Sequence, residues 1–262
     1  MGQGNKNQFE AQFGLSGQTA LITGSSRGIG LGLAIGLGEA GATIILNSRK
    51  EANLTRASDE LEARGIAHHR LICDVTQPEE IKEAVNRFEA ETGAIDILIN
   101  NAGINHREKL EAFSADDYHR VMDTNCSSVY FTSQAVARHM LSRGRGKIIT
   151  IASIMTLVAR QNVSAYVTSK AAVAGLTRAM TAEWAERGLN INAIGPGYIK
   201  TELTQPLADD AEFSNWLIGT TPQRRWGEVS DLVGAAVFLA SSASDFVNGQ
   251  VIYVDGGMTA TV

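Results

Sequence analysis

Seven short apolar runs recur along the chain, at residues 19–23 (TALIT), 43–46 (TIIL), 69–73 (HRLIC), 95–99 (IDILI), 147–151 (KIITI), 190–193 (NINA) and 250–254 (QVIYV). They are rich in Ile, Leu and Val and little interrupted by charge, the pattern of strands buried on both faces. Between them lie the stretches 30–40, 51–64, 78–91, 116–143, 166–187 and 228–240, which have the length and apolar spacing of helices. Thr76 followed by Pro78, Glu79 and Glu80 is a helix start, with carboxylates at the positive end of the helix dipole. Strand–helix alternation over the whole length predicts an α/β fold. The expectation is a Rossmann-like, doubly wound, seven-stranded parallel sheet with helices on both faces, joined by right-handed crossovers. No shift in composition marks a second domain, so one domain is expected over 15–262, preceded by a flexible or loosely docked arm, 1–14. Residues 201–225 form the least regular long stretch and are expected to be a lid.

Composition narrows the classes. A chain of 262 residues, 44% hydrophobic, can bury roughly 70–75% of its unfolded surface and needs no staple. Its 26 Gly come without a period and with only 4 Pro, which excludes collagen and points to tight turns and close backbone approaches. The net charge is −5, with no basic stripe, so neither nucleic acid nor an anionic membrane is an expected partner. No apolar run approaches the ~18–20 residues of a membrane span. The polar N-terminus lacks the apolar core of a secretory signal, and Lys6 stands where myristoylation needs Ser or Thr. Cys73 and Cys126 match no CxxC or zinc spacing. Free thiols and a cytoplasmic location are expected, and no metal site is.

Thr23-Gly24-Ser25-Ser26-Arg27-Gly28-Ile29-Gly30 follows the first apolar run and opens a helix. Glycines spaced G-x-x-x-G-x-G permit a tight turn, close backbone approach to a pyrophosphate and close helix–strand packing, with the helix N-terminus facing the phosphates. The Lys-Ser/Thr of a nucleoside-triphosphate P-loop is absent. The second run ends in Asn47-Ser48-Arg49-Lys50, with no acid before Glu51. An NAD site wants a carboxylate there for the ribose 2′-hydroxyl. Arg49, Lys50 and Arg27 suit a 2′-phosphate instead, so NADP is expected, with NAD possible.

Tyr166 and Lys170, at i and i+4, share a helix face. A nearby ammonium stabilises a phenolate, so the pair predicts a lowered Tyr166 pKa and a general base. Ser153 follows the fifth run, at the strand ends where such folds place ligands, and its hydroxyl can donate to a carbonyl oxygen. Asn100-Asn101-Ala102-Gly103 lies at the same sheet edge and lets a cofactor lie close. Asn125, within a helical pattern, is a poor helix former.

The residues 23–30, 100–103, Asn125, Ser153, Tyr166, Lys170 and Pro196-Gly197 occur in the order and spacing of a known family. The chain resembles a short-chain dehydrogenase/reductase over roughly 15–258. The resemblance implies that Tyr166 is the general acid/base, that Lys170 lowers its pKa and binds the nicotinamide ribose, that Ser153 polarises the carbonyl and that Asn125 holds a water of the proton relay. It places Asp74 and Val75 at the adenine, Asn101 and Gly103 at the adenosine ribose, and Ile199 and Thr201 near the carboxamide. It implies a homotetramer. Residues 195–199 and 221–227 are most similar to bacterial members that oxidise D-gluconate at C5, giving 5-dehydro-D-gluconate. A 3-oxoacyl-thioester reductase and another sugar or polyol dehydrogenase share the motifs, and a catalytically inactive nucleotide-binding scaffold is the alternative of a different class. For a sugar acid, Arg107 or Arg160, beside His106 and Gln161, is the candidate partner of the carboxylate.

Overall fold

The computed structural model describes residues 10–261. Residues 1–9 of the arm lie outside the described residues. Residues 10–13 are helical, and the Ser242 hydroxyl donates to the carbonyls of Ala11 and Gln12. The Leu15 N–H donates to the Ala40 carbonyl, so this part of the arm is docked on the fold.

Seven parallel strands form one sheet in the order β3-β2-β1-β4-β5-β6-β7. They are β1 (Thr19–Ile22), β2 (Thr43–Ser48), β3 (His68–Ile72), β4 (Ile97–Asn100), β5 (Gly146–Ile151), β6 (Leu189–Pro196) and β7 (Val251–Val254). The order in which the chain adds strands reverses between β1 and β4, so a crevice opens at their carboxyl ends.

Successive side chains feed two different cores, because the side-chain period of a strand is two. Ala20, Ile22, Ile44, Leu46, Ile97 and Ile99 face one layer of helices, and Leu21, Ile45 and Leu98 face the other. The first layer holds α1 (Gly28–Glu39), α2 (Thr55–Ala63) and α9 (Ser230–Ala240), packed through Leu33, Leu37, Leu61, Leu232 and Leu239. The second holds α3 (Pro78–Glu91), α5 (Ser128–Arg143) and α6 (Ser164–Trp184), packed through Ile81, Val85, Val136, Met140 and Met180. This double burial explains why the strands read as unbroken apolar runs.

The elements depart from the sequence expectation where polar side chains intervene. The stretch 116–143 is not one helix. It divides into α4 (Ala115–Met122), a widened π-helical turn (Asp123–Ser127) and α5. Thr124 and Ser128 hydroxyls donate to carbonyls one turn back, and Asn125 turns inward. Such side chains compete with the helix's own hydrogen bonds, and widened turns of this kind cluster at functional sites. β2 and β6 run on to Ser48 and Pro196, past the last apolar residue. The irregular stretch 201–225 contains α7 (Gln205–Ala208) and α8 (Ala211–Thr220) around a small core of Phe213, Leu217 and Trp226.

Candidate active site

The glycine turn connects β1 to α1 at the crevice. Gly24 (φ +62) and Gly28 (φ +57) adopt left-handed backbone that favours glycine. A Cβ on Gly30 would meet Asn101 Nδ2 at 2.5 Å and the Gly24 carbonyl at 2.6 Å, and one on Gly24 would meet Ala102 Cα at 3.0 Å. A Cβ on Gly28 would meet nothing nearer than Thr201, at 3.8 Å. The turn is therefore pressed against the segment after β4 and open on the side of Gly28. No side chain caps α1, and no acid sits in its first turn. Its N-terminal N–H groups are left for an anion. Ser26 and Ile29 are half-buried on this turn.

Side chains far apart in sequence fix the turn. The Thr23 hydroxyl accepts from the N–H groups of Asn101 and Ala102, while Asn101 Nδ2 donates to the carbonyls of Thr23 and Gly24. Asn47, which the sequence reading passed over, is buried and joins three strand ends. Its Oδ1 accepts from Gly24 N–H at 3.2 Å, its Nδ2 donates to the carbonyls of Leu71 and Cys73, and its N–H donates to Ser25 Oγ. The signal that could have found it is an asparagine continuing an apolar run, since a buried amide needs partners.

At the end of β2, Ser48 is buried and accepts from Asn53 Nδ2 at 3.3 Å. Arg49 is exposed and lies 3.9 Å from the Asp74 carboxylate, a loose surface pair that can exchange for a phosphate. Asp74 accepts from the N–H and hydroxyl of Thr76, and Val75 is buried. Arg27 points elsewhere: it pairs with Glu202 at 3.3 Å and ties the glycine turn to the irregular segment. Gly103 and Ala102 pass beneath Asn125 and Gly24 respectively. A glycine cradle, an uncapped helix end and an exposed, only loosely paired Arg49 beside Ser48 fit a dinucleotide carrying a 2′-phosphate.

Ser153, Tyr166 and Lys170 converge at the end of β5. Ser153 is buried, and its Oγ accepts from Met155 N–H at 3.1 Å, which leaves its proton free to be donated. Burial pushes the Tyr166 pKa up, the Ser153 hydroxyl draws it down less strongly, and Tyr198 adds to the rise. The expected lowering of the Tyr166 pKa is therefore corrected: it stands above its ordinary value. Lys170 Nζ is 5.6 Å from the centre of the Tyr166 ring and donates at 2.7 Å to the Ile151 carbonyl. Its own burial lowers its pKa to about 8. Loss of solvent outweighs an ammonium that is not in contact.

Asn125 is buried in the widened turn. Its Nδ2 donates to the Ile104 carbonyl and Ser169 Oγ, and its Oδ1 accepts from Ile104 N–H. The side chain clamps the segment after β4 to α6, with both amide protons engaged. Beyond Pro196, Gly197 is required by packing, since a Cβ there would meet Asp255 Cα at 2.8 Å. Ile199 is buried, and the Thr204 hydroxyl holds its carbonyl while accepting from Thr201 N–H.

The substrate candidates separate. Arg107 and Gln161 are exposed, and Arg107 has no ion pair among the described residues. His106 stands 3.6 Å from Asp117. Arg160 lies over the Phe213 ring at 4.2 Å, inside an aromatic group that includes Tyr198, Trp216 and Trp226. Among the described residues no cluster of His, Cys, Asp or Glu is placed to hold a metal ion, and no helix is long and apolar enough to cross a membrane.

A phenol and a hydroxyl aimed at one point beside a dinucleotide crevice can exchange a proton with an alcohol or carbonyl oxygen while charge on that oxygen is stabilised. The comparisons agree with this chemistry. A family model described as enoyl-(acyl carrier protein) reductase matches residues 24–259. The gluconate 5-dehydrogenase of Gluconobacter oxydans (strain 621H) is 50% identical over 250 residues, 95% of this chain and 98% of that protein. The 5-keto-D-gluconate 5-reductase of Escherichia coli (strain K12) is 44% identical over the same shares. A crystal structure of a gluconate 5-dehydrogenase from Burkholderia cenocepacia J2315, in complex with NADP and tartrate, superposes with a TM-score of 0.95 at 50% identity, covering 97% of this chain and 100% of that one.

Proposed function

We propose an activity for a chain that belongs to the short-chain dehydrogenase/reductase family: it is an NADP-dependent oxidoreductase that interconverts D-gluconate and 5-dehydro-D-gluconate. The observation that carries the reaction type is the meeting of Ser153 and Tyr166 over the buried Lys170, at the sheet edge shared with the glycine turn. The substrate rests on relatives at 44–50% identity over nearly their whole length.

NADP(H), when bound, accepts or supplies the hydride. In this reading Gly24, Ser26, Gly28, Ile29 and Gly30 hold its pyrophosphate, Ser48 and Arg49 its 2′-phosphate, which Arg27 joins only on leaving Glu202, and Asp74 and Val75 its adenine. Asn101, Ala102 and Gly103 flank the adenosine ribose. Pro196, Gly197, Ile199 and Thr201 face the carboxamide, and Tyr166 and Lys170 the nicotinamide ribose. Tyr166, whose pKa burial moves further above neutrality, gives its proton to the carbonyl oxygen in reduction and takes one from the hydroxyl in oxidation. Ser153 donates a hydrogen bond to the same oxygen. Lys170 keeps its place through Ile151, and Asn125 keeps the floor of the site in register. Arg107 and Arg160 are the cations available to a carboxylate.

The reading extends to a homotetramer in the cytoplasm. The exposed aromatic pair Tyr130 and Phe131 on α5 supports an interface, and the free thiols Cys73 and Cys126 suit a reducing compartment. Light scattering on the purified protein tests the assembly.

A spectrophotometric assay of nicotinamide reduction decides the activity. Gluconate with NADP is expected to turn over faster than other aldonates, neutral polyols or, in the reverse direction, acetoacetyl thioesters. Preferential reduction of the thioester would reject the sugar-acid reading.

A further inference from the structure

Arg160 belongs to the loop between Ser153 and Tyr166, yet its contacts are with the irregular segment 201–225 and the turn before it. Its guanidinium carbon lies 4.2 Å from the centre of the Phe213 ring and 5.4 Å from that of Trp216, both on α8. Its Nη1 reaches the Tyr198 hydroxyl at 3.5 Å, the long limit of a hydrogen bond. No carboxylate pairs with it among the described residues. Tyr198 in turn packs edge-on against Phe213, Trp216 and Trp226. Arg160 is thus a half-buried, unneutralised cation on the loop that joins Ser153 to Tyr166.

Stacking engages the face of a guanidinium and leaves its N–H donors, which lie in the plane, available; on Arg160 the one contact they make is the long one from Nη1 to Tyr198. Those donors match a carboxylate in a two-point, parallel arrangement. Aromatic walls exclude water and strengthen such a pair. We propose that Arg160 reads the carboxylate of the substrate through its edge while its face stays on Phe213 and Trp216, so that binding an acid fastens α8 over the site. The inference rests on the sugar-acid reading and adds to it a specificity residue and a closure device. Substrate charge, and not only its hydroxyl pattern, would then govern whether the segment 201–225 is held down. Trp216, 48% exposed, is the residue whose access should respond.

The test compares wild type, Arg160→Ala and Arg160→Lys as NADP-bound enzymes of equal thermal midpoint, with gluconate and with the neutral polyol D-glucitol. Chymotrypsin cleavage within 201–225 is read alongside kinetics. In wild type, gluconate is expected to slow cleavage at Trp216 several-fold and glucitol to leave it unchanged. Arg160→Ala loses that protection and raises KM for gluconate tenfold or more, with KM for NADP and for glucitol unaltered; Arg160→Lys, which keeps charge but not the fork, falls between. Equal effects on the two substrates, or full protection by gluconate in Arg160→Ala, would overturn the proposal. Failure of wild type to oxidise gluconate counts against the activity alone, because protection reports binding without turnover.

Discussion

The Lys170 ammonium stands 5.6 Å from the centre of the Tyr166 ring and donates, at 2.7 Å, to the carbonyl of Ile151. The two residues of the Tyr-x-x-x-Lys pair thus share one face of α6, while the ammonium's hydrogen bond goes to the backbone of β5. Two consequences concern pH.

Burial lowers the Lys170 pKa from 10.5 to about 8. Between those values the unfolded chain binds a proton that the folded chain does not, so the stability contributed by this site rises as pH rises through that window. Below about pH 8 the folded state carries the full cost of a buried ammonium. Lys170→Met removes the titration. The difference in unfolding midpoint between wild type and Lys170→Met is therefore expected to shift in favour of wild type as pH rises from about 8 to 10.5. Calorimetry across this range checks it, and a difference independent of pH would contradict the burial argument.

The raised Tyr166 pKa keeps its proton in place at neutral pH. Reduction of the ketone uses the protonated form and should hold its rate through neutrality, whereas alcohol oxidation should climb as pH rises. Tyr166→Phe is expected to lower kcat by about 10²–10⁴-fold in both directions, while NADP affinity, measured by titration calorimetry, stays near the wild-type value.

Asn47 holds the glycine turn from the neighbouring strand. Asn47→Ala strands the Gly24 N–H and the Leu71 and Cys73 carbonyls, at a cost of about 2–3 kcal/mol. Urea unfolding is expected to report that loss, together with a raised KM for NADP and little change in KM for gluconate. A variant as stable as wild type would show that water replaces the amide.

Arg49 is exposed and only loosely paired with Asp74, 3.9 Å away. Arg49→Ala should raise KM for NADP roughly 10–100-fold, the worth of a charge-assisted contact, and leave KM for NAD unchanged. A parallel rise with both cofactors would move the 2′-phosphate site away from Arg49.

Local signals in the sequence were legible where the chemistry is local. The glycine spacing of 23–30 required only a strand, a turn and a helix start, and Tyr166 and Lys170 shared a face by helical period alone. Asn47 escaped because its partners lie 23, 24 and 26 residues away. The helix expected over 116–143 was interrupted for the same reason: Asn125 bonds to Ile104 and Ser169, neither of which its own neighbourhood reveals.

Periodicity and spacing by themselves determined a seven-stranded doubly wound sheet, the edge at which it binds ligands and the residue types gathered there, because burial on two faces and close backbone approach leave marks at short range. Tertiary structure alone decided the direction of the Tyr166 pKa shift, the direction of Arg27 toward Glu202 and the seating of Arg160 on Phe213. Each of these depends on how much water remains around a group and on which distant side chain replaces it, and a pKa or an ion pair is set by that balance.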